Sequence, residues 1–390
     1  MKRLMPVGRA DRSAVARWFW TIDRPLLVLL LVLIGFGIIA VAAASPAAAR
    51  RLSDSSFQIP ALYFLQRQLI WAAVGVPILL AVSMMTKDTA RRFALGGLVV
   101  TLLLLALVPF IGMEKNGSVR WLSLGGFQLQ PVEFVKPFFI IGTAWLFAMR
   151  FQDRSLPVLL VGAVALAAVV GLLVIQPDFG QAVLISAVWL VQAALAGLSL
   201  AVVGIAIAGA VAGLAIAYQF EPHIRNRIDG FLHGEGDTYQ VDRALDCFRS
   251  GGLYGTGPGE GVAKFRLPEP HTDYIFAVIG EEFGAIACFA LALLYLAIII
   301  RALLQLLDET DPFTMMAAAG LVSMFGGQAL INMAVNVALA PSKGMTLPFI
   351  SHGGSSFLAM AVAMGLLLAL TRRNRHLKSS PYLRPEAVAV

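Results

Sequence analysis

The motif LPEPHTD (residues 267–273) closes a polar segment at 220–274, just before a long apolar run at 276–305. An apolar run of this length is typical of a helix that spans a membrane. Two acidic residues, Glu281 and Glu282, interrupt the run shortly after Asp273. Because carboxylates near a bilayer are costly and usually functional, the stretch indicates a membrane protein and the place of its site.

The composition of the whole chain agrees with this interpretation. Hydrophobic residues make up 58% of the 390 residues and charged residues only 14%, which is too apolar for a soluble domain. We therefore predict an all-α, polytopic integral membrane protein with about ten helices. Spanning runs are expected near 25–45, 62–85, 93–112, 131–150, 156–175, 180–198, 200–219, 276–305, 314–339 and 354–371.

Lysine and arginine collect at both ends of the chain. Because positively charged loops stay on the cytoplasmic side, both termini are predicted to be cytoplasmic. We divide the chain into a basic N-terminus (1–24), a transmembrane domain (25–371) and a basic C-terminus (372–390). Residues 220–274 should form one large, structured extracytoplasmic loop between helices seven and eight. The first apolar run lacks a cleavage pattern and should act as an anchor.

The net charge of +7 raises the question of a nucleic-acid partner. The basic residues are mostly juxtamembrane and no nucleic-acid motif accompanies them, so we expect no nucleic-acid partner and interpret the charge as topology and anionic-lipid contact. The two cysteines, Cys247 and Cys288, fall in different environments and should not form a disulfide. Neither has metal-ligand spacing, and no metal site is predicted.

Polar residues form five clusters that are predicted to share the outer side, as expected for one extracytoplasmic cavity. In the first, Arg120 and Trp121 precede Glu133 and Lys136, which are three residues apart at the start of a helix and can pair. A structural ion pair with an interfacial tryptophan is as plausible as a substrate-binding role. The second contains Asp178 in a short turn, where capping a helix is the simpler role.

The third cluster is the glycine-rich run SGGLYGTGPGEG (250–261), followed by Lys264 and Arg266. Exposed amides and cations of this kind could hold a phosphate. The spacing fits neither a Walker loop nor a dinucleotide fingerprint, so the location of the run matters more than its pattern. Upstream, residues 239–250 have the apolar spacing of a helix.

The fourth cluster contains Glu269, His271 and Asp273. Either His271 or Asp273 could act as a general base. Asp273 is favoured because it leads directly into a helix and so has a fixed position, and capping that helix is its alternative role. Glu281 and Glu282 lie about 12 Å further along the helix, too deep for the same proton, and are expected to brace helix packing.

The fifth cluster combines Asn332 and Asn336, on one face of a predicted helix, with the segment 341–356, which is rich in proline and glycine. Such a segment should break the helix at membrane depth, which is tolerated only where protein or a watery cavity satisfies the freed backbone groups. A re-entrant element is therefore predicted. Helix packing through asparagine hydrogen bonds is the favoured role for Asn332 and Asn336.

Taken together, these motifs resemble the SEDS family (shape, elongation, division and sporulation) of peptidoglycan glycosyltransferases, which includes RodA and FtsW. The resemblance covers nearly the whole chain, with the motifs in the family's order. Lys343 followed by Gly344 resembles the FtsW, or cell-division, branch more than the RodA branch. The segments that carry the resemblance are 67–68, 116–121, 130–136, 177–180, 239–240, 250–264, 267–282 and 341–356.

The resemblance implies an inverting polymerase of lipid II, the disaccharide-pentapeptide carried on undecaprenyl pyrophosphate. It would make β-1,4 glycan at the outer face of the cytoplasmic membrane, at the division septum, with Asp273 as the base. The candidate substrate-binding residues are Arg67, Arg120, Trp121, Lys136, Lys264, Glu269, His271, Lys343 and Ser355. The candidate structural polar residues are Glu133, Asp178, Glu281, Glu282, Asn332 and Asn336.

The resemblance also implies partners. These are a class B penicillin-binding protein, that is, an FtsI-like transpeptidase, and other membrane proteins of the divisome. No cofactor is assigned, and a divalent cation at the pyrophosphate stays open. Two other functions are kept: a lipid II flippase, and a non-catalytic scaffold for the transpeptidase. A flippase needs polar groups facing both sides, and the inner halves of the predicted helices carry few.

Overall fold

Apolar helices make up most of the structure, a computed structural model that describes residues 13–53, 58–115, 118–125, 127–220, 225, 229, 239–341 and 344–372. In chain order the elements are α1 (Ala14–Thr21), α2 (Arg24–Leu52), α3 (Tyr63–Ser83), α4 (Lys87–Ile111), β1 (Met113–Lys115), β2 (Ser118–Leu124), β3 (Phe127–Leu129), α5 (Pro131–Ala148), α6 (Val158–Ile175), α7 (Phe179–Leu195), α8 (Leu200–Phe220), α9 (Tyr239–Gly251), α10 (Ile275–Leu306), α11 (Pro312–Asn336) and α12 (Gly354–Leu370).

The predicted all-α polytopic fold is confirmed. Within the described residues, seven helices are long and apolar enough to cross a membrane, namely α2, α3, α4, α5, α6, α10 and α11. The apolar helices α7 and α12 have 17 residues each, and the apolar stretch of α8 is shorter still, at Leu200–Gly213, so the predicted number of about ten spans is reached only when these three are included. The division of the chain at residues 24 and 371 stays a prediction.

Capping residues set where several helices begin. Asp23 accepts a hydrogen bond from the amide of Leu26 (2.8 Å) at the start of α2. Thr86 and Asp311 do the same at the starts of α4 and α11. A side-chain oxygen at this position satisfies one of the amide groups that the first helical turn leaves unpaired. Each of these three starts lies at the same end of the bundle, opposite to Asp273.

Ion pairs tie the helices together at that end. Arg301 of α10 donates to Asp23 at 2.7 and 3.0 Å. Lys87 lies 3.5 Å from Glu309. Trp18 of α1 donates its indole N–H to Ser83 (2.9 Å), so the short first helix is fastened across the bundle. Two of these residues, Trp18 and Asp23, belong to the N-terminal segment that the sequence predicts to be cytoplasmic.

The other end of the bundle is formed by residues 112–115, 118–125, 127–130, 239–274, 338–341 and 344–353, and we call it the site end. It includes an antiparallel sheet in the order β1-β2-β3, which the sequence analysis did not predict. Residues 118–121 alternate polar and apolar side chains, which is the signal for a strand. The helix expected at 239–250 is confirmed as α9, which packs against α10.

The helix α10 is broken at Gly284, whose φ of 81° and ψ of 174° lie outside the helical region. Such a backbone conformation favours glycine, because a side chain would be strained there. Beyond the break, the amide of Ala285 donates to the carbonyl of Gly252 (2.9 Å), and Ile286 donates to Leu253 (3.2 Å). The backbone groups freed by the break are therefore satisfied by the glycine-rich run.

The same run also donates to the last carbonyls before the break. The amide of Thr256 donates to Glu281 (2.9 Å) and that of Gly257 to Glu282 (3.1 Å). Gly255 adopts a φ of 84°, and a Cβ atom there would lie 2.3 Å from the carbonyl oxygen of Glu282. The backbone of the glycine-rich run thus pairs with the groups that the break in α10 leaves free. At its closest approach to α10 this run requires a residue without a side chain.

Candidate active site

Asp273 lies at the site end, half-buried, two residues before α10 begins. Its main-chain oxygen accepts hydrogen bonds from the Nδ2 atoms of Asn332 and Asn336, both at 2.9 Å. The amide of Ala277 donates to Asn336 Oδ1 (3.0 Å). Two side chains of α11 therefore hold the entry to α10, and Asp273 has the fixed position that the sequence predicted for it.

The carboxylate of Asp273 lies beside Gly344, at the start of the segment 344–347 that precedes α12. A Cβ atom at Gly344 would lie 3.3 Å from Asp273 Oδ2, so the absence of a side chain at Gly344 leaves room beside the carboxylate. Asn332 Nδ2 also donates to the main-chain oxygen of Met345 (2.7 Å). One asparagine thus joins the two segments that face each other at this point.

Further hydrogen bonds join residues 267–273 to residues 347–352. Ser351 Oγ donates to the carbonyl of Thr272 (2.6 Å) and accepts from the amide of Leu347 (2.7 Å). The amide of His352 donates to the carbonyl of His271 (2.8 Å). Residues 344–353 form no helix, so the predicted break in the helical pattern is present, and its backbone groups find partners within the protein.

Two histidines share an aromatic cluster at the site end. The ring centroid of His271 lies 4.2 Å from that of Phe64 and 5.6 Å from that of His352. His352 Nδ1 lies 3.2 Å from Gln68 Oε1. Burial, and to a smaller degree the neighbouring His271 and Arg67, lower the pKa of His352 to about 3. His352 is therefore neutral at pH 7.

A buried ion pair lies deeper, at the start of α5. Lys136 Nζ lies 2.8 Å from Glu133 Oε2, so the pairing predicted from their spacing is present. Gln181 Nε2 donates to Glu133 Oε1 (2.9 Å), and Lys136 donates to Gln328 Oε1 (2.8 Å). Lys136 is only 1% exposed, and its ammonium group is paired with these protein groups in this structure.

Arg120 of β2 fastens the strands to the turn before α7. Its Nε donates to the carbonyl of Gln176 (3.2 Å), its NH2 group donates to the carbonyl of Pro177, and its NH1 lies 3.9 Å from Asp178. Burial raises the pKa of Asp178, and Arg120 opposes this shift. Asp178 directly precedes α7, at the capping position, but its side chain makes no capping hydrogen bond there, so the capping role stays a prediction. Trp121, next in the strand, is half-buried at the same end.

Lys264 is buried rather than open to the site end, with 1% of its surface exposed. Its ammonium group pairs with Glu282 and donates to the carbonyl of Ala43 (3.0 Å). The amides of Ala263 and Lys264 donate to the carboxylate of Glu281 at 2.6 and 2.7 Å. The prediction that this region offers exposed amides to a phosphate is therefore wrong for these two amides, because the carboxylate of Glu281 accepts from both of them. A substrate contact by Lys264 stays a prediction that requires the pair to open.

The remaining predicted residues differ in how they are placed. Glu269 is half-buried, has a φ of 48° and accepts from Thr272 Oγ1 (3.0 Å). Arg67 is exposed, with its guanidinium 5.3 Å from the ring of Tyr63. Lys343 lies outside the described residues. Among those that are described, no group of three or more His, Cys, Asp or Glu side chains is placed to hold a metal ion.

Ser355 is buried between α12 and the sheet. Its hydroxyl donates to the carbonyl of Gln128 (2.8 Å) and accepts from the amide of Gln130 (3.1 Å). Both contacts fasten the end of β3 to α12. In this structure Ser355 therefore has a structural role, and its assignment to substrate binding stays a prediction.

Gln328 and Ser351 were missed by the sequence analysis. Gln328 lies four residues before Asn332 and eight before Asn336, so it shares their face of α11. That spacing was the available signal. Nothing in the sequence around Ser351 distinguishes it from the other small residues of a segment rich in serine and glycine.

The fold and the site define a helical membrane protein whose polar side chains converge at one end of the bundle. The family model for the FtsW/RodA/SpoVE proteins, described as cell cycle proteins, matches residues 24–376. The chain belongs to this family, which confirms the resemblance found in the sequence.

Relatives of known name support the same assignment. A probable peptidoglycan glycosyltransferase FtsW from Caulobacter vibrioides is 40% identical, over 94% of this chain and 93% of its own length. A protein of the same name from Coxiella burnetii is 36% identical, over 90% of this chain and 96% of its own.

Solved structures resemble the fold as well. A chain of a peptidoglycan synthase complex, described as coordinating polymerization and crosslinking, aligns with a TM-score of 0.72 at 26% identity, over 90% of this chain and 97% of that chain. The rod shape determining protein RodA of Thermus thermophilus aligns with a TM-score of 0.63 at 26% identity, over 90% of this chain and 96% of its own.

Proposed function

We propose that this chain is a peptidoglycan glycosyltransferase that polymerises lipid II into β-1,4 glycan strands and releases undecaprenyl pyrophosphate. The names of its relatives support this activity. The observation that carries the proposed site is the position of Asp273, whose main chain is anchored by two asparagines while its carboxylate lies beside a residue without a side chain. Such a place is suited to a group that must meet a substrate in a fixed geometry.

In the proposed reaction Asp273 is the general base. It accepts the proton of the acceptor hydroxyl on GlcNAc while the hydroxyl oxygen attacks the anomeric carbon of the MurNAc donor. A new carbon–oxygen bond forms as the bond to the pyrophosphate breaks, and undecaprenyl pyrophosphate leaves with the electron pair. One carboxylate suffices, because pyrophosphate leaves without a separate acid once its charge is countered, unlike the leaving group in most glycosidases.

Arg67 and Arg120 are the proposed pyrophosphate contacts within the described part of the site end. Arg67 is exposed and Arg120 is partly exposed, whereas Lys136 and Lys264 are buried in ion pairs. A guanidinium group can donate two parallel hydrogen bonds to a phosphate, which fixes the donor as well as neutralising it. Trp121, in the same strand as Arg120, is proposed to stack on a sugar or guide the lipid.

We further propose that the site end faces outward from the cytoplasmic membrane, at the division septum, with both chain termini in the cytoplasm. The distribution of lysine and arginine supports this orientation. Naming of the relatives as FtsW supports the septal role.

A class B penicillin-binding protein is the proposed partner, together with other divisome membrane proteins. The support is the similar chain in a complex that coordinates polymerization and crosslinking. A partner that cross-links the new strand would have to meet the glycan as it leaves the site end.

The flippase alternative depends on polar groups facing the opposite side. The expectation that the inner halves of the helices carry few such groups was too simple, since Thr143, Gln192, Asp23 and Arg301 are found there. These groups are paired: Thr143 donates to Gln192 Oε1 (2.7 Å), and Asp23 pairs with Arg301. They stabilise helix contacts, and the polymerase is the function that the site end favours.

The direct test is a polymerisation assay. Purified protein with its cognate transpeptidase is mixed with labelled lipid II, and the products are separated by length. Glycan ladders that require the wild-type chain support the proposal, and their absence with active lipid II and partner would contradict it. Assays with a chelator test the divalent cation. Depletion in cells should give filaments, whereas round cells with intact septation would favour the RodA role.

A further inference from the structure

The helix α11 carries three buried amide side chains, Gln328, Asn332 and Asn336, at intervals of four residues. Residues four apart share one face of a helix, so these three amides form a ladder along one face of α11. The two asparagines hold the main chain at Asp273 and Met345. The ladder therefore sets the spacing between the Asp273 carboxylate and the segment 344–347.

Gln328 is the member of this ladder that lies farthest from Asp273 along the helix, and it contacts the charged side chain of Lys136. Its Nε2 donates to the carbonyl oxygen of Thr346 (3.0 Å) and lies 3.2 Å from the Thr346 hydroxyl. Its Oε1 accepts from Lys136 Nζ (2.8 Å). Lys136 in turn is held by Glu133. A single side chain thus joins a buried ion pair in α5 to the segment that lies beside Asp273.

We propose that Gln328 is a positioning residue for glycan polymerisation: it couples the Glu133/Lys136 ion pair to residues 344–347, and so fixes the wall against which the Asp273 carboxylate lies. The inference rests on the proposed function. Gln328 contacts neither the carboxylate nor, in the reaction as proposed, the reacting atoms. It acts through Thr346 and its neighbours Gly344 and Met345.

The chemistry of the position requires a primary amide. Lys136 needs an oxygen acceptor, and the carbonyl of Thr346 needs an N–H donor, and glutamine supplies both at the two ends of one group. Methionine has a similar volume but supplies neither hydrogen bond. Glutamate keeps an acceptor for Lys136 but lacks the amide donor for Thr346. The two substitutions therefore separate the contact to the ion pair from the contact to the wall of the site.

Gln192 provides a matched control in the same bundle. It is equally buried, its Oε1 accepts from Thr143 (2.7 Å), and its Nε2 donates to the carbonyls of Ile140 (2.9 Å) and Met316 (3.2 Å). Like Gln328, Gln192 both accepts and donates hydrogen bonds through its amide group. It lies near the C-terminal end of α7, away from the site end. Loss of a buried amide at Gln192 should change stability without changing the wall beside Asp273.

The experiment compares Gln328→Met, Gln328→Glu, Gln192→Met and the wild type, each purified with the cognate transpeptidase. Initial rates over a range of lipid II concentrations give kcat and KM, and thermal unfolding in detergent gives Tm. Both Gln328 variants should lower kcat by at least about tenfold with KM within about twofold, because a small displacement of a reacting group costs rate more than ground-state binding. Gln192→Met should keep the wild-type kcat even where its Tm falls.

Each outcome decides the matter. If Gln328→Met does not fold, Gln328→Glu, which keeps the contact to Lys136, carries the test alone. Wild-type kcat in the folded Gln328 variants would overturn the inference while leaving the polymerase intact. A fall in kcat of the same size in Gln192→Met would overturn it too, because the effect would then follow buried amides in general. A wild-type chain that makes no glycan would overturn both the proposed function and the inference.

Discussion

Asn332 Nδ2 lies 2.9 Å from the main-chain oxygen of Asp273 and donates a hydrogen bond to it. The backbone of Asp273 is therefore anchored through its own carbonyl group. A change confined to the side chain of Asp273 leaves the anchor in place, so chemistry and positioning can be separated by mutation at this residue.

Asp273→Asn should abolish glycan polymerisation while expression, Tm and partner binding stay at wild-type values. The amide keeps the size of the carboxylate but cannot accept the acceptor's proton. General-base catalysis contributes about a hundred- to ten-thousandfold, so the loss should read as inactivity in a gel assay. Glu269→Gln and His271→Ala should be milder. Polymerisation by Asp273→Asn at a near wild-type rate would remove Asp273 as the base, and inactivity of His271→Ala alone would transfer that role to His271.

Lys264→Met should lower the stability of the fold, because Lys264 and Glu282 form a buried ion pair. Removing one partner of such a pair leaves an uncompensated charge, which typically costs about 3–5 kcal/mol in the free energy of unfolding. Thermal unfolding in detergent measures the effect. Arg249→Ala is the control, because its ion pair with Asp246 is exposed and should contribute at most about 1 kcal/mol. A stable Lys264→Met variant with a raised KM for lipid II would favour the substrate contact instead.

Cysteine labelling should place the site end outside the cell. Both native cysteines are buried, and burial, with Glu281 as a smaller cause, raises the pKa of the Cys247 thiol, so background labelling should be low. New cysteines at Arg249, in the site end, and at Lys87, at the opposite end, are exposed positions. A membrane-impermeant maleimide should label Arg249→Cys in intact spheroplasts and Lys87→Cys only after lysis. The reverse pattern would invert the topology.

The stability of the fold should fall in mild acid through His352. Its pKa is lowered from 6.5 to about 3, so between these values the unfolded chain binds a proton that the folded chain does not. Stability therefore rises with pH over this range and is lost as pH falls below about 6.5. From pH 7.5 to 5.5 the wild type should lose about 1 kcal/mol more than His352→Gln. Parallel losses in both proteins would exclude His352 as the source.

The sequence predicted the helices better than it predicted the connections between them. Apolar runs and the Glu133/Lys136 spacing are local patterns, and both were reproduced. The glycine-rich run was interpreted as an anion site because exposed amides are its common use. Its actual role depends on the break at Gly284, where the partner groups come from a helix later in the chain, and no local pattern shows such pairing.

The site was predictable in part for the same reason. Asp273 stands out because it is an acid next to a long apolar helix, whereas Gln328 is one amide within such a helix. Its importance comes from Lys136 and Thr346, which belong to other segments. The burial of Lys264 could not be foreseen either, because it depends on the ion pair with Glu282, which belongs to the helix that follows the loop.

The break at Gly284 also divides α10 into two parts of different length. All of α10 has 32 residues, about 48 Å at 1.5 Å per residue, which exceeds the roughly 30 Å of hydrocarbon that a span must cross. Residues 285–306 alone, about 33 Å, match that thickness. Residues 275–283 are then a spacer of about 13 Å between that span and Asp273. Adding or removing one residue in the spacer would turn Asp273 by about 100° around the helix axis and shift it by about 1.5 Å.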